Sequence, residues 1–431
     1  MYLIYSALLA VGLLLAIPYW LLEMLRHGKY RKGLPQRLGR VPRSVRNPQG
    51  RSIWVHAVSV GEVLAVSELI GKLRVEFPQH RILISTTTDT GQSLASRRFG
   101  AENVFYFPLD FSIAMRRYLA ALRPDLVVIA ETEFWPNFLR IAHDSGAQVA
   151  VVNARISDRS LPGYRRWREV LRPVLRNISL FMAQTAEDAR RLIEIGALED
   201  RVVVGGNLKF DFVLPPAPQI LGQLRSSLAK SGAGPVLVCG STVDGEETLL
   251  GETFKQVLWQ HHSAVMLLAP RHPERFSQVA NFLQDANVKF WRRTQWGGSP
   301  LNGTVLLVDS IGELANLYAL ADLAIVGGSF VPLGGHNILE PAQHGVPIIV
   351  GPHTENFRDI VGLFCSCDAV RVVSAIDLPK VVLHLLGSKD ERQDLGQRAR
   401  HTLQSQQGAT AFTLQKLKRL LSSREQGAHT A

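Results

Sequence analysis

Glu62 stands in "SVGEVLA", residues 59–65, between the apolar run "SIWVHAV" and the helical spacing of "VLAVSELIGKL". It therefore sits where a strand ends and a helix begins. A carboxylate there has two uses: it stabilises the positive end of a helix dipole, or it does chemistry at the carboxyl edge of an open α/β sheet. Two further acids, Glu131 and Glu133 in "AETEFWPN", close another strand-like run. Residues two apart on a strand share a face, so both acids can point the same way. "GNLKFD" supplies Lys209, a cation able to offset charge on a departing phosphate or on a carboxylate. "APRHPER" follows a strand-like run and supplies Pro270 and Arg271, whose guanidinium can grip a phosphate bidentately.

The densest stretch is "LAIVGGSFVPLGGHNILEPAQHGVPIIVGP", residues 323–352. A strand is expected to end at Gly327-Gly328-Ser329, and a helix to start near His336-Asn337. Glycines let backbone N–H groups approach a ligand closely, and a helix N-terminus favours an anion. Glu340, inside the expected first turns, is placed to accept two hydrogen bonds from a sugar diol. The bland alternative is a first-turn acid stabilising the dipole by about 0.3–1 kcal/mol. "GST" at 240–242 ends another strand-like run and offers further N–H donors. His272 and His336 show no metal-pair pattern. "CSC" at 365–367 lacks nearby His or Cys partners for a metal. The three cysteines are too few for a disulfide framework and point to a reducing compartment.

The elements that must hold these residues alternate. "SIWVHAV", "RILIST", "LVVIAET", "AQVAVVN", "LFMAQT" and "VVVGGN" are separated by helical stretches such as "AEDARRLIEIG". Such alternation predicts βαβ units and a parallel sheet. "FDFVLPPAPQ", with three prolines, predicts a linker over 210–219, and the alternation then restarts from "PVLVCGST". The chain of 431 residues is thus expected to fold as two α/β domains around one hinge. Two such sheets suggest a ligand cleft at their C-terminal strand edges. Neither a G-x-G-x-x-G turn nor a P-loop is present in the sequence.

The net charge is +11, and residues 23–51 carry +8 of it: nine basic side chains against Glu23. Before them runs "MYLIYSALLAVGLLLAIPYWLLE", without a charged side chain until Glu23. About 22 helical residues at 1.5 Å rise span roughly 33 Å, the thickness of a bilayer core. Tyr19 and Trp20 suit an interfacial belt, and the basic run suits the cytoplasmic side. The segment lacks the charged start and small-residue cleavage site of a signal peptide. A helix lying in the membrane, with Pro18 as a kink, is the alternative to a crossing one. The expected organisation is a membrane anchor helix at 1–22, a basic juxtamembrane segment at 23–50, domains at 51–209 and 220–405 joined by the linker, and a C-terminal helix at 406–431.

"GGSFVPLGGHNILEPAQHGVPIIVGPHTENF" resembles the donor-site motif of the Kdo transferases, which attach 3-deoxy-D-manno-octulosonic acid (Kdo) to a lipid A precursor. "HAVSVGE", "AETEFWPN", "GNLKFD" and "APRHPERF" resemble the same family in order and spacing, and the likeness runs nearly the whole length. The resemblance implies a GT-B fold of two Rossmann-like domains facing across a cleft, with an N-terminal membrane helix. The N-terminal domain would take the acceptor and the C-terminal domain CMP-Kdo. It implies a membrane-associated glycosyltransferase of the cell inner membrane with cytoplasmic catalytic domains. The implied transfer is inverting and uses neither a metal nor a cofactor. It also implies Glu62 as general base, Glu131 and Lys209 as stabilisers of the transition state, and CMP-Kdo contacts from Pro270, Arg271, Gly312, Glu313, Leu314, Asn337, Ile338, Leu339 and Glu340. The partners expected are CMP-Kdo, a lipid A precursor and an anionic membrane, with no nucleic acid. Two other readings compete. A soluble GT-B relative such as a nucleotide-sugar 2-epimerase does not need residues 1–51. A membrane-tethered basic protein without activity explains residues 1–51 and nothing after.

Overall fold

The computed structural model describes residues 1–27, 33–47 and 50–429. Lys29, Arg31 and Lys32 of the basic run lie outside the described residues. The chain forms two compact units: residues 1–212 with 406–431, and residues 213–405.

Unit 1 is built on seven parallel strands: β1 Arg51–His56, β2 His80–Thr86, β3 Val104–Tyr106, β4 Pro124–Ala130, β5 Gln148–Ala154, β6 Leu180–Ala183 and β7 Val202–Val204. Their order is β3-β2-β1-β4-β5-β6-β7, with helices between successive strands. A parallel sheet is covered on both faces, so its strands read as near-continuous apolar runs. Alternate residues serve opposite faces. Trp54, Val127 and Ile129 enter one core, with Phe105, Tyr118 and Phe138. Ile53, Val55, Leu126 and Val128 enter the other. The helix Ala409–His429 closes that second core through Ala409, Leu417 and Leu421. Its start is pinned by Asp211, whose carboxylate accepts from Gly408 N at 2.7 Å and Thr410 N at 2.5 Å.

Unit 2 repeats the design with β8 Val236–Thr242, β9 Val265–Pro270, β10 Phe290–Arg292, β11 Thr304–Leu307, β12 Leu323–Val326, β13 Ile348–Val350 and β14 Arg371–Val372. The order is β10-β11-β9-β8-β12-β13-β14, again all parallel. Each sheet reverses its winding once: between β1 and β4 in unit 1, and between β8 and β12 in unit 2. Such switch points open a crevice at the carboxyl edge where ligands bind.

The N-terminal helix spans Tyr2–His27 and contains Pro18. No helix among the described residues is long and apolar enough to cross a membrane, so the expected spanning anchor is not found. The packing explains why the segment misleads. One stripe, including Tyr2, Tyr5 and Ser6, is part-buried against unit 1. Tyr2 packs on the first core and lies under the Arg140 guanidinium, 4.5 Å from the ring centre. Asn137 Nδ2 donates to Ser6 Oγ at 3.0 Å. Tyr5 lies beside Asp110, a buried carboxyl raised to about 7 by burial and held by the N–H groups of Asn137 and Phe138. The opposite stripe, with Leu3, Ile4, Leu8, Val11 and Leu15, is exposed.

Candidate active site

Glu62 follows β1, and Glu131 follows β4, its neighbour across the switch point. That adjacency brings together two acids 69 positions apart in the chain. Ser59 caps the short helix Val60–Ala65, and Glu62 lies in that helix's first turn. Its carboxylate accepts from Val58 N at 2.8 Å and Ser59 Oγ at 2.9 Å. The capping role is therefore real, and it fixes the carboxylate. Glu62 is half-buried, and burial pushes its carboxyl up to about 7. The charges of Glu131 and Glu133 push in the same direction, while the Val58 N–H and Ser59 contacts pull down. An acid that titrates near 7 is matched to taking a proton near neutral pH.

Glu131 has φ 57°, a left-handed conformation uncommon for a residue with a side chain. Backbone held this way concentrates at functional sites. Lys209 Nζ lies 3.3 Å from Glu131 Oε1, with both side chains partly accessible. Lys209 sits in the turn Leu208–Asp211 and faces the acid cluster. Residues whose part was not legible hold that turn. Asn153, at φ 55° near the end of β5, accepts from Leu208 N at 2.9 Å. Asn207 accepts from Lys209 N at 3.0 Å and donates to Gln184 at 3.1 Å. The one available signal was Asn207 inside "GNLKFD". Glu133 is raised by burial and makes no ion pair among the described residues. His56 of "HAVSVGE" is fully buried, lowered to about 3 by burial, and stacked on Phe107; it belongs to the core.

In unit 2 the crevice lies beyond β8, β9 and β12. Arg271 follows β9, is exposed, and makes no ion pair among the described residues. His336 is lowered to about 4, by burial first and then by the Arg271 and His272 charges. Its Nε2 is buried and lacks a hydrogen-bond partner among the described residues. Glu340 is raised by burial and eased down by Asn337 and by the Arg271 charge. Asn337 Nδ2 donates to Glu340 at 3.3 Å, and Leu339 N donates to Asn337 Oδ1 at 3.1 Å. Arg271, His336, Asn337 and Glu340 thus form one cluster. Ile338 and Leu339 are buried beneath it, and Pro270 ends β9.

Two expectations for this region are corrected. The helix after the glycines is only Leu339–Gln343, too short to provide a helix-terminal anion site. The N–H groups of the "GGSF" loop are already taken. Glu246, 1% exposed, accepts from Gly328 N at 2.8 Å, Ser329 N at 3.1 Å and Phe330 N at 2.9 Å, and from Val243 N at 3.1 Å. The glycines serve close packing: a Cβ on Gly327 would meet Glu246 Oε2 at 2.6 Å and Ser241 O at 2.8 Å. At "IGEL", Glu313 pairs bidentately with Arg293 and accepts from the Ser310 hydroxyl. Its side chain is occupied, which leaves the backbone of Gly312, Glu313 and Leu314 as the part able to meet a ligand. Gly312 has φ 89° and open space around it. No group of three or more metal-ligating side chains occurs among the described residues.

The profile of the 3-deoxy-D-manno-octulosonic-acid transferase (kdotransferase) family matches residues 32–212. A 3-deoxy-D-manno-octulosonic acid transferase of Bordetella pertussis is 37% identical over 94% of this chain and 96% of its own. One from Haemophilus influenzae is 34% identical over 96% of this chain and 97% of its own. Among solved structures, a glycosyltransferase from Rickettsia africae superposes with a TM-score of 0.55 at 14% identity, covering 88% of this chain and 99% of that one, which speaks to the GT-B fold alone. With an acid at the β1–β4 switch, a lysine facing it and near-full-length kinship, the chain belongs to the 3-deoxy-D-manno-octulosonic acid transferase family.

Proposed function

We propose that the protein transfers Kdo from CMP-Kdo to a lipid A precursor in lipopolysaccharide core biosynthesis, with inversion and with Glu62 as general base. The observation that carries this reading is Glu62 itself: fixed by two hydrogen bonds, half-buried so that its carboxyl is pushed up to about 7, and beside Glu131 and Lys209. The acceptor hydroxyl must lose its proton as its oxygen attacks the anomeric carbon, and the Glu62 carboxylate accepts it. The bond from the anomeric carbon to the CMP phosphate breaks, and the electron pair leaves with CMP. The unpaired guanidinium of Arg271 is suited to balance that phosphate. Lys209, held by Glu131, supplies a fixed positive charge where charge shifts during transfer. Glu340 and Asn337 orient the sugar or ribose hydroxyls, and the "IGEL" backbone meets the base.

The exposed apolar stripe of the N-terminal helix, followed by the basic run, fits a helix lying at the cytoplasmic face of the inner membrane rather than crossing it. The test is CMP release from CMP-Kdo by the purified full chain, with and without lipid A precursor. Acceptor-dependent release is expected. Epimerisation of UDP-N-acetylglucosamine without such release would favour the 2-epimerase reading.

Two outcomes follow from the site. Arg271→Lys should weaken CMP binding by about 10- to 150-fold, because one charge-assisted bond of roughly 1.5–3 kcal/mol is lost. Calorimetric titration with CMP checks this, and unchanged affinity would refute it. The second outcome concerns pH. The base must be ionised, so the transfer rate should rise with pH, reach half its limit near 7, and level off above. Glu133→Gln removes one like charge and should move that limb to lower pH. The same carboxyl affects stability with the opposite sense. Its folded value lies above the ordinary 4.5, so its contribution is full below 4.5 and is lost as pH rises through about 7.

A further inference from the structure

We propose that Arg275 is a positioning residue for the donor site: with the buried carboxylate of Glu247 it clamps the loop that carries Arg271, and so aims that guanidinium at the phosphate. The proposal rests on the phosphate role given to Arg271 under the proposed function. Glu247 lies in the first turn of the helix Glu246–Gln260 and is 4% exposed. Arg275 Nη1 donates to Glu247 Oε1 at 2.6 Å and Nη2 to Oε2 at 3.1 Å, a bidentate fork. Nη2 also donates to Asp244 Oδ1 at 3.0 Å. The hydroxyl of the fully buried Thr242 donates to the same Glu247 Oε1 at 3.0 Å.

Thr242 ties down both ends of the loop. Its backbone oxygen accepts from Arg271 N at 2.8 Å, where the chain leaves β9. Its hydroxyl meets Glu247, which holds Arg275 where the loop ends. Between them lies one tight turn: the Pro273 ring fixes its own φ, and Arg275 N donates to His272 O at 3.0 Å. Residues 271–275 therefore keep little freedom while both ends stay tied. The anchor itself is shaped by an unusual backbone. Ser241 has φ 57°, and the pairing of β8 with β9 shifts register between Gly240 and Thr242. Strain of this kind concentrates at functional sites. Arg275 is occupied by its carboxylate contacts, with its side chain 13% exposed, whereas Arg271 is exposed and left for a ligand. Desolvation offsets much of what a buried pair gains, so what this one supplies is a fixed loop. Glu246, one position earlier, holds the loop that leads to His336. Two adjacent glutamates thus fix the two loops of the donor cluster.

The test compares CMP with cytidine, which lacks the phosphate, on the full chain. Calorimetry measures CMP, and ligand-observed NMR measures the weaker cytidine. The wild type should prefer CMP by about 10-fold or more, as a charge-assisted phosphate contact requires. Arg275→Ala should cut CMP affinity by about 10-fold, because a displaced guanidinium loses most of that contact, and should leave cytidine affinity unchanged. Arg275→Lys keeps the charge but not the fork and should lose about threefold; it carries the same reading if the alanine variant fails to fold. With Arg271→Ala already in place, adding Arg275→Ala should change CMP affinity by less than about twofold, since the two residues act as one unit. Unchanged CMP affinity in both Arg275 variants, or cytidine affinity falling in step with CMP, would overturn the proposal. So would an undiminished loss in the Arg271→Ala background. Each of these leaves the role of Arg271 standing. A wild type that binds CMP no better than cytidine would overturn both.

Discussion

Glu62→Gln should abolish Kdo transfer while leaving CMP binding near its wild-type value. The amide keeps the size of the side chain and an oxygen to accept from Val58 N, so the turn after β1 survives. It cannot take up a proton from an attacking hydroxyl. Loss of one general base costs on the order of 10²–10⁴ in rate. The cluster around Arg271 lies in unit 2 and is held by contacts made within that unit. Single-turnover transfer at saturating substrates, set beside CMP titration, separates the two effects. Retention of a tenth of wild-type turnover would remove Glu62 from the role of base.

Glu246→Ala should produce a large loss of stability in unit 2. Four backbone N–H groups converge on this one buried carboxylate. Alanine leaves them without an acceptor in a space closed by Gly327 and Ser329. An orphaned buried donor costs about 1–3 kcal/mol, and partial relaxation keeps the sum below simple addition, so about 3–5 kcal/mol is expected. Glu246→Gln retains a carbonyl oxygen and should lose less. Urea unfolding gives the stability, and hydrogen exchange at Gly328, Ser329 and Phe330 locates it. Wild-type protection of those three amides in the alanine variant would contradict the assignment. A weaker donor site should accompany the loss, because the loop that leads to His336 and Asn337 is the one set free.

How far these features could be read beforehand depended on distance along the chain. "SVGE" and "AETEFW" showed acids at strand ends because strand, acid and helix follow one another within a few residues. Their meeting required the strand order, which places β1 beside β4, and no periodicity encodes that order. Lys209 was legible as a cation near the linker, but its approach to Glu131 spans 78 positions and depends on Asn153 at the end of β5. Glu246 was hidden for the same reason: its partners at Gly328–Phe330 lie more than 80 positions away. The "GGSF" glycines looked like an open cradle because glycine permits close approach by any group, and here the group is a glutamate of the same unit. The N-terminal segment misled through uniform apolarity. Tyr2, Tyr5 and Ser6 bind it to unit 1, and this stripe is hard to see among leucines and alanines. The final helix was legible as a helix, but its packing on a core of unit 1 through Leu417 and Leu421 was not.

The account is tested most directly by the mass of the lipid product. Purified wild-type and Glu62→Gln proteins are incubated with CMP-Kdo and a lipid A precursor, and the lipid is examined by mass spectrometry. The wild type should convert the acceptor to a species heavier by one or more whole Kdo residues, and Glu62→Gln should leave the acceptor mass unchanged. An unmodified lipid from the wild type, or equal conversion by both proteins, would contradict the account.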